Sequence, residues 1–493
     1  MRAVVRGYER APVLEAALLA GPLAAFTLAL AMGYPLAPVA GAVALGTALL
    51  LWHRALLSWQ GLVATLLLVI LLIPIRRYRM PVELPFELEP YRVAVALIAA
   101  LWISSLLIDP RVRLRCSGFE APLVLFGVGA IGSVFANGAR IDALAVESKV
   151  MKELTFFASF VLVLYLIVSV VRSTGAIDFL VRLLVSVTSV VALLAVVEAR
   201  TGLNPFDHLD LIPLLQPDQQ LDIATRGGRF RALGPSQHPI ALGAAFVVVL
   251  PLAIYLGSTT KKRRWWLAVA ALALGILAPF ARTSVVMLLV VCLVFLWLRP
   301  KHTRRLWPAI LPLLVVVHFA LPGTIGSLKA SFFPKGGLIA DQSQSVGSRG
   351  QGRVADLGPT LTQWSERPLF GNGFGSRVVT GETPNAQILD NQWLATLLET
   401  GLAGAFALAW LFVRVIRRLA AAAKKDQSER GWLFVALAAS IAAFGLGMLT
   451  YDAFSFIQVT FLFFIVLAFA SVELTRAAER DADAVPAPTT RRF

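Results

Sequence analysis

The sequence predicts an all-α, polytopic transmembrane bundle of about 12–14 spans with a large extracytoplasmic loop. Three observations predict it. Of 493 residues, 58% are hydrophobic and only 15% are charged, and the mean hydropathy is +0.75; a soluble domain carries about a quarter charged residues. Apolar runs of about 18–20 residues, the length that crosses a bilayer, recur from end to end. The formal net charge of +16 gathers in short segments between those runs, as Lys and Arg do in cytoplasmic loops, which removes nucleic acid as its explanation.

In order, candidate spans run near 13–32, 36–52, 58–75, 91–108, 119–135, 153–171, 178–198, 238–257, 265–280, 283–298, 307–322, 390–412, 432–449 and 456–474. Residues 1–474 form one transmembrane domain, and 475–493 read as a disordered cytoplasmic tail. The basic, then apolar, N-terminus is an uncleaved first span. Both termini are placed in the cytoplasm, because "PRVRLRCSG", "TTKKRRWW", "RPKHTRRLW" and "RVIRRLAAAAKKDQSER" then lie inside. "RRYRMPVELPFELEP" falls outside against this rule, its arginines offset by Glu83, Glu87 and Glu89. Two outer loops are long, 199–237 and 323–389. Trp364, Leu369, Phe370 and Phe374 give the second one material to fold onto the membrane face. Cys116 and Cys292 suggest neither a disulfide framework nor a metal site. No internal repeat is visible, which counts against inverted-repeat transporters.

This topology brings polar residues to one face. "RGGRFRALGPSQHP" supplies Arg226, Arg229, Arg231 and His238, "PFARTS" supplies Arg282, "LDNQWL" supplies Asp390 and Asn391, and "TYDAFS" supplies Asp452. Arg282 interrupts an apolar stretch, and charge at membrane depth is a functional expectation; the plainer reading is a tight turn with a snorkelling side chain. Arg229 and Arg231 follow Gly227-Gly228, and guanidiniums grip phosphate oxygens at two points; the plainer reading is a solvated loop balanced by Asp207, Asp210, Asp218 and Asp222. His238, before Pro239, and Asp390, before an apolar run, both also suit a helix cap. Glu399 lies nine residues after Asp390, half a turn out of phase on a helix, so the two are expected on different faces. Gly401 and Ala405 read as a small-residue packing surface.

"GGRFRALGPSQHPIALG", "ARTSVVMLL", "WSERPLFGNGFGS" and "LDNQWLATLLETGLAG", in this order, resemble the O-antigen ligase and O-antigen polymerase family of bacterial membrane glycosyltransferases. The resemblance covers about residues 227–410 and implies a GT-C-like, metal-independent, inverting enzyme without cofactors. It implies a multi-pass protein of the bacterial inner membrane that acts on the extracytoplasmic face. The implied partners are an undecaprenyl-diphosphate-linked oligosaccharide donor, a glycan or lipid acceptor, membrane lipids and a chain-length regulator. Arg229, Arg231 and Arg282 would hold the diphosphate, with Arg282 also catalytic. Asp390 stands where ligases usually carry histidine, which turns the reading toward a polymerase with Asp390 as base. His238, Arg353, Asn391 and Asp452 would contact saccharide or acceptor. A ligase remains the alternative, with a transporter or flippase of lipid-linked sugars, or a non-catalytic assembly factor, behind it.

Overall fold

The computed structural model describes residues 57–81, 88–212, 215–218, 225–226, 229–306, 308, 310–323, 326, 329, 332–333, 357–377 and 389–483. The first two candidate spans, Arg353, Glu83, Glu87, Gly227-Gly228 and the last ten residues of the tail lie outside them. The chain divides into two compact units, one ending at Thr65 and one beginning at Leu66. Of the first, the described part is the opening of helix α1 (Trp59–Leu72). The second contains everything below.

Its helices are α2 (Pro90–Ile108), α3 (Glu120–Ala136), α4 (Gly138–Ala143), α5 (Glu147–Val170), α6 (Thr174–Thr201), α7 (Pro239–Thr260) and α8 (Arg263–Leu277). Then come α9 (Arg282–Leu298), α10 (Pro300–Leu306), α11 (Ile310–Ala320), α12 (Leu357–Ser365), α13 (Gln392–Lys425), α14 (Glu429–Gly447) and α15 (Ile457–Asp483). Among the described residues, α2, α5, α6, α7, α13, α14 and α15 are long and apolar enough to cross a membrane, and α1, α3 and α9 are shorter apolar helices. The protein is an all-α, polytopic membrane protein.

Hydrophobicity all round a helix places it inside a bundle. In α7, "PIALGAAFVVVLPLAIYLG" offers no polar face, and nearly all of its residues from Pro239 to Gly257 are buried. In α15, every residue from Ile457 to Leu474 is buried. Around this pair pack α8, α9 and α14 on α7, α5 and α14 on α15, and α3 and α14 on α13. The α3–α13 contact is close because Gly129 faces Gly404, where an added Cβ would come within 3.1 Å of the Gly404 nitrogen.

Three helices run beyond their apolar stretch, and α13 continues thirteen residues past 412, to Lys425. The α5 helix begins at Glu147, six residues before the expected span, because Lys149, Lys152 and Glu153 hide its first turns from a hydropathy reading. The α15 helix continues through "TRAAERDAD" to Asp483, so the tail is helical for nine residues past 474. Ala, Glu and Arg favour helix, and Lys425 pairs with Asp481 at 2.6 Å.

Strand pairing is confined to short pieces. β1 (Tyr78–Arg79) pairs antiparallel with β2 (Gln216–Pro217), and β3 (Thr225–Arg226) with β4 (Arg229–Phe230). The first pairing joins "RRYRM" to the 199–237 loop. Arg77, 3% exposed, contacts Asp207 at 2.6 Å and donates to the carbonyls of Gly234 and Ser236. This arginine is a structural clamp that ties the segment after α1 to the 199–237 loop. Burial pulls the Arg77 pKa below the ordinary guanidinium value, with Asp207 opposing.

Candidate functional site

The site rests on a broken helix. Within α13 the backbone departs from helical geometry at Gly401 (φ 64, ψ −159), a region open only to glycine. Such a break frees backbone groups that lipid cannot satisfy. The loop 366–377, "ERPLFGNGFGSR", satisfies them instead. Asn372 N donates to Leu398 O at 2.8 Å and Gly373 N to Glu399 O at 3.2 Å; in return Leu402 N donates to Pro368 O at 2.8 Å and Ala403 N to Leu369 O at 3.3 Å. The contact tolerates no side chain: a Cβ on Gly401 would stand 2.4 Å from Leu369 carbonyl atoms, and one on Gly371 2.5 Å from Leu398 O. Gly401 thus serves the backbone turn, not the small-residue surface expected of it, and Gly404 makes the interhelical contact. Phe374 is buried edge-on against Phe126, and Trp364 packs on Leu389, Leu394 and Leu398. Leu369 and Phe370 stay exposed.

This lock presents Arg377 and Glu399 to a cavity of about 460 Å³. The N-terminal turns of α5, α7 and α13 and the turn 452–456 complete it, through Lys149, Glu153, His238, Asp390, Asp452 and Phe456. Arg377 contacts Asp452 at 2.7 Å and Glu399 at 3.5 Å. Ser455 Oγ donates to Asp452 Oδ2 at 2.8 Å, and Gly375 N to Glu399 Oε2 at 3.2 Å. Burial alone would lower the Arg377 pKa; Asp452, then Glu399, outweigh it and raise it. Four carboxyl groups (Glu153, Asp390, Glu399 and Asp452) face two cations (Lys149 and Arg377). The cavity is therefore formally acidic, and helix N-termini around it favour carboxylates.

The polar triplet ahead of α13 divides its work. Asn391 is the N-cap, its Oδ1 accepting from Leu394 N at 3.1 Å. Gln392 ties the helix start to the segment 448–454: its backbone nitrogen donates to Met448 O at 2.8 Å, and its Oε1 accepts from Phe454 N at 2.7 Å. Asp390 lines the cavity. The capping alternative for Asp390 is therefore displaced one residue, and Asn391 commits its side chain to the helix rather than to the cavity. The expectation that Asp390 and Glu399 cannot share a face also fails. Asp390 precedes the helix, so helical periodicity does not relate the two, and both line one cavity.

His238 has both roles considered for it: it caps α7, its Nδ1 accepting from Ile240 N at 3.1 Å, and it lines the cavity, stacked on Phe456 with ring centroids 5.4 Å apart. The bond at Nδ1 leaves the neutral ring's proton on Nε2. Its segment is clamped by Glu198, which accepts from Leu233 N and Gly234 N at 3.0 and 2.8 Å, and by Ser236 Oγ, which bonds Gln458 Oε1 at 2.6 Å.

None of Arg229, Arg231 and Arg282 lines this cavity. Arg231 Nε donates to Pro279 O at 3.0 Å, and Arg282 opens α9 just beyond, so both flank the turn 279–282. That turn contains Phe280 at φ 49, a strained conformation for a non-glycine residue. Next to it, the hydroxyl of Thr283 bonds at 3.0 Å to that of Thr450, two residues before the cavity's Asp452. Arg229 donates instead to Pro322 O.

Sequence reading missed Lys149 and Glu153, and did not place Arg377. The first two carried a signal, a Lys and a Glu four apart on one face of an otherwise apolar helix. Arg377 carried none, because its partners are distant in sequence.

A family model described as O-antigen ligase matches residues 267–409. The match contains "WSERPLFGNGFGS" and "LDNQWLATLLETGLAG", and with them Arg282, Arg377, Asp390 and Glu399; it agrees with the resemblance to the O-antigen ligase and polymerase family. No curated protein matches the chain.

Proposed function

We propose that the protein is a membrane glycosyltransferase that polymerises undecaprenyl-diphosphate-linked oligosaccharide repeat units into a surface polysaccharide, with inversion and without a metal. The observation that carries this reading is the pairing of an acidic cavity with an arginine turn at the same end of the bundle. The cavity's guanidinium, Arg377, is already engaged by Asp452 and Glu399, so the cavity suits the neutral acceptor sugar and its base better than a diphosphate. The turn 279–282, with Arg231 and Arg282, suits the anionic leaving group.

The reaction then runs across the boundary. An acceptor hydroxyl attacks C1 of the donor sugar while the C1–O bond to diphosphate breaks. The bonding pair leaves with the diphosphate, whose growing charge Arg282 and Arg231 stabilise. Asp390 takes the hydroxyl proton. His238 and Asp452 border the space for the acceptor, and Arg377 holds Asp452 and Glu399 in place. The 366–377 loop forms a wall that limits water as a competing acceptor.

Transfer of a finished glycan, the ligase reaction, is favoured by one observation. An imidazole, that of His238, lines the same cavity, although Asp390 occupies the position where ligases usually carry histidine.

Purified protein with a lipid-linked oligosaccharide, in the presence of a chelator, tests the proposal. A ladder of repeat lengths supports polymerisation. One transfer onto a lipid acceptor establishes the ligase. Translocation in vesicles without bond formation, or loss of turnover with chelator, overturns the reading.

A further inference from the structure

A second cavity lies between α6 and α8, at the end of the bundle away from the turn 279–282. It has a volume of about 390 Å³ and takes no part in the chemistry above. Its flanks are apolar and outward-facing: Val190, Leu193 and Leu267 are 55%, 51% and 71% exposed. Two guanidiniums, Arg182 and Arg264, stand at one end. Among the described residues neither forms an ion pair. The acidic residue one turn before Arg182, Asp178, is engaged by Arg430 at 2.9 and 3.3 Å. Arg264 lies 4.8 Å over the ring of Trp265. Trp265 lines the groove and is 4% exposed, yet its indole N–H has no hydrogen-bond acceptor. A buried indole N–H normally finds one.

Length adds a second constraint. From Arg182 to Leu193 the groove follows eleven residues of α6, or about 16 Å at 1.5 Å per residue. Half of a hydrocarbon core about 30 Å thick is about 15 Å. The groove therefore has the length of one leaflet, and Arg182, four residues inside the expected span 178–198, is within snorkelling reach of the headgroups.

We propose that this groove binds an anionic phospholipid, its phosphate held by Arg182 and Arg264, an oxygen of its headgroup or ester accepting from Trp265 Nε1, and one acyl chain lying along Leu183, Val190 and Leu193. The apolar walls alone would accept any lipid; the two unneutralised guanidiniums and the unmet donor select a negative, oxygen-rich head.

Native mass spectrometry of the full chain in neutral detergent tests the site with phosphatidylglycerol and phosphatidylcholine at equal concentration. Phosphatidylglycerol should be retained at least about tenfold more strongly, and Arg182→Gln/Arg264→Gln should remove most of that preference. Trp265→Phe, which keeps the ring and deletes the donor, should weaken retention several-fold. The control Lys262→Gln/Arg263→Gln removes the same charge beside the groove and should leave retention unchanged. Equal retention of the two lipids, equal losses in both double variants, or displacement of phosphatidylglycerol by an equimolar polyprenyl phosphate would each overturn the proposal. Because no turnover is measured, the outcome is independent of the proposed glycosyl transfer.

Discussion

Two regions at one end of this bundle are built by opposite means. The acidic cavity is assembled from distant pieces, with Lys149, His238, Arg377, Asp390 and Asp452 each delivered by a different segment. The arginine turn is built from fewer pieces: Arg282 is three residues from Pro279, and Arg231, 48 residues before Pro279, donates to its carbonyl. The cavity needs the whole fold to hold four carboxyl groups together, whereas the turn needs only the joint between α8 and α9 and the one segment that carries Arg231. Damage to the frame should therefore abolish the cavity first, and side-chain deletions should separate the two regions by kinetic signature.

The largest expected effect is on the frame. Gly401→Ala places a Cβ 2.4 Å from the Leu369 carbonyl in a backbone conformation closed to alanine. Strain of that kind costs about 1–3 kcal/mol and overpacking about as much again, a large part of a typical folding free energy of about 5–15 kcal/mol. Folded yield and thermal unfolding should collapse, while Leu402→Ala, at the exposed next position, should be mild. A well-folded, active Gly401→Ala protein would show that the loop does not depend on the break.

Asp390→Asn comes next and tests the cavity alone. Loss of a general base costs about 10²–10⁴ in turnover, and donor binding should be unchanged because the diphosphate is assigned elsewhere. Turnover near that of the wild type would remove Asp390 as base. A weakened donor affinity with unchanged turnover would place the diphosphate inside the cavity and reverse the division drawn above.

What the sequence reveals of these regions differs for physical reasons. Membrane spans are legible because bilayer thickness imposes a length and a polarity on contiguous residues, and α2, α3, α7 and α9 begin and end within a few residues of their expected bounds. Asp390 is legible as a carboxylate among polar neighbours before an apolar run. The Arg377 pairs with Asp452 and Glu399 are not, because they cross 75 and 22 residues of chain and depend on where the loop docks. The link between Asp390 and Glu399 was hidden for a subtler reason: helical phase was applied to a residue that lies outside the helix. Glycines in "FGNGFG" and "ETG" announced tight turns, but only the fold shows that the two turns satisfy each other's backbone.

Arg282→Ala tests the turn. Deleting one donor to a developing negative charge costs about 10²–10³ in rate, so polymer should fall below detection in a protein that still inserts. The signature should also differ from that of Asp390→Asn, with weaker donor binding as well as slower turnover. Wild-type chain lengths in this variant would reduce Arg282 to a helix-start residue at a tight turn.

The smallest effect expected separates two arginines that a linear reading treats alike. Arg229 and Arg231 are two residues apart in an extended segment, where alternate side chains share a face, yet their guanidiniums serve different carbonyls. Arg231 reaches Pro279, beside Arg282, and Arg229 reaches Pro322. If the diphosphate sits at the turn 279–282, Arg231→Ala should raise the donor KM by about tenfold, the worth of one charge-assisted contact. Arg229→Ala should change it by less than about threefold, within the range of a surface substitution. Steady-state kinetics on the lipid-linked donor resolve a difference of that size. Equal losses in the two variants would mean that Arg229 leaves Pro322 when the donor arrives, and the basic region would then extend past the turn to include the whole strand.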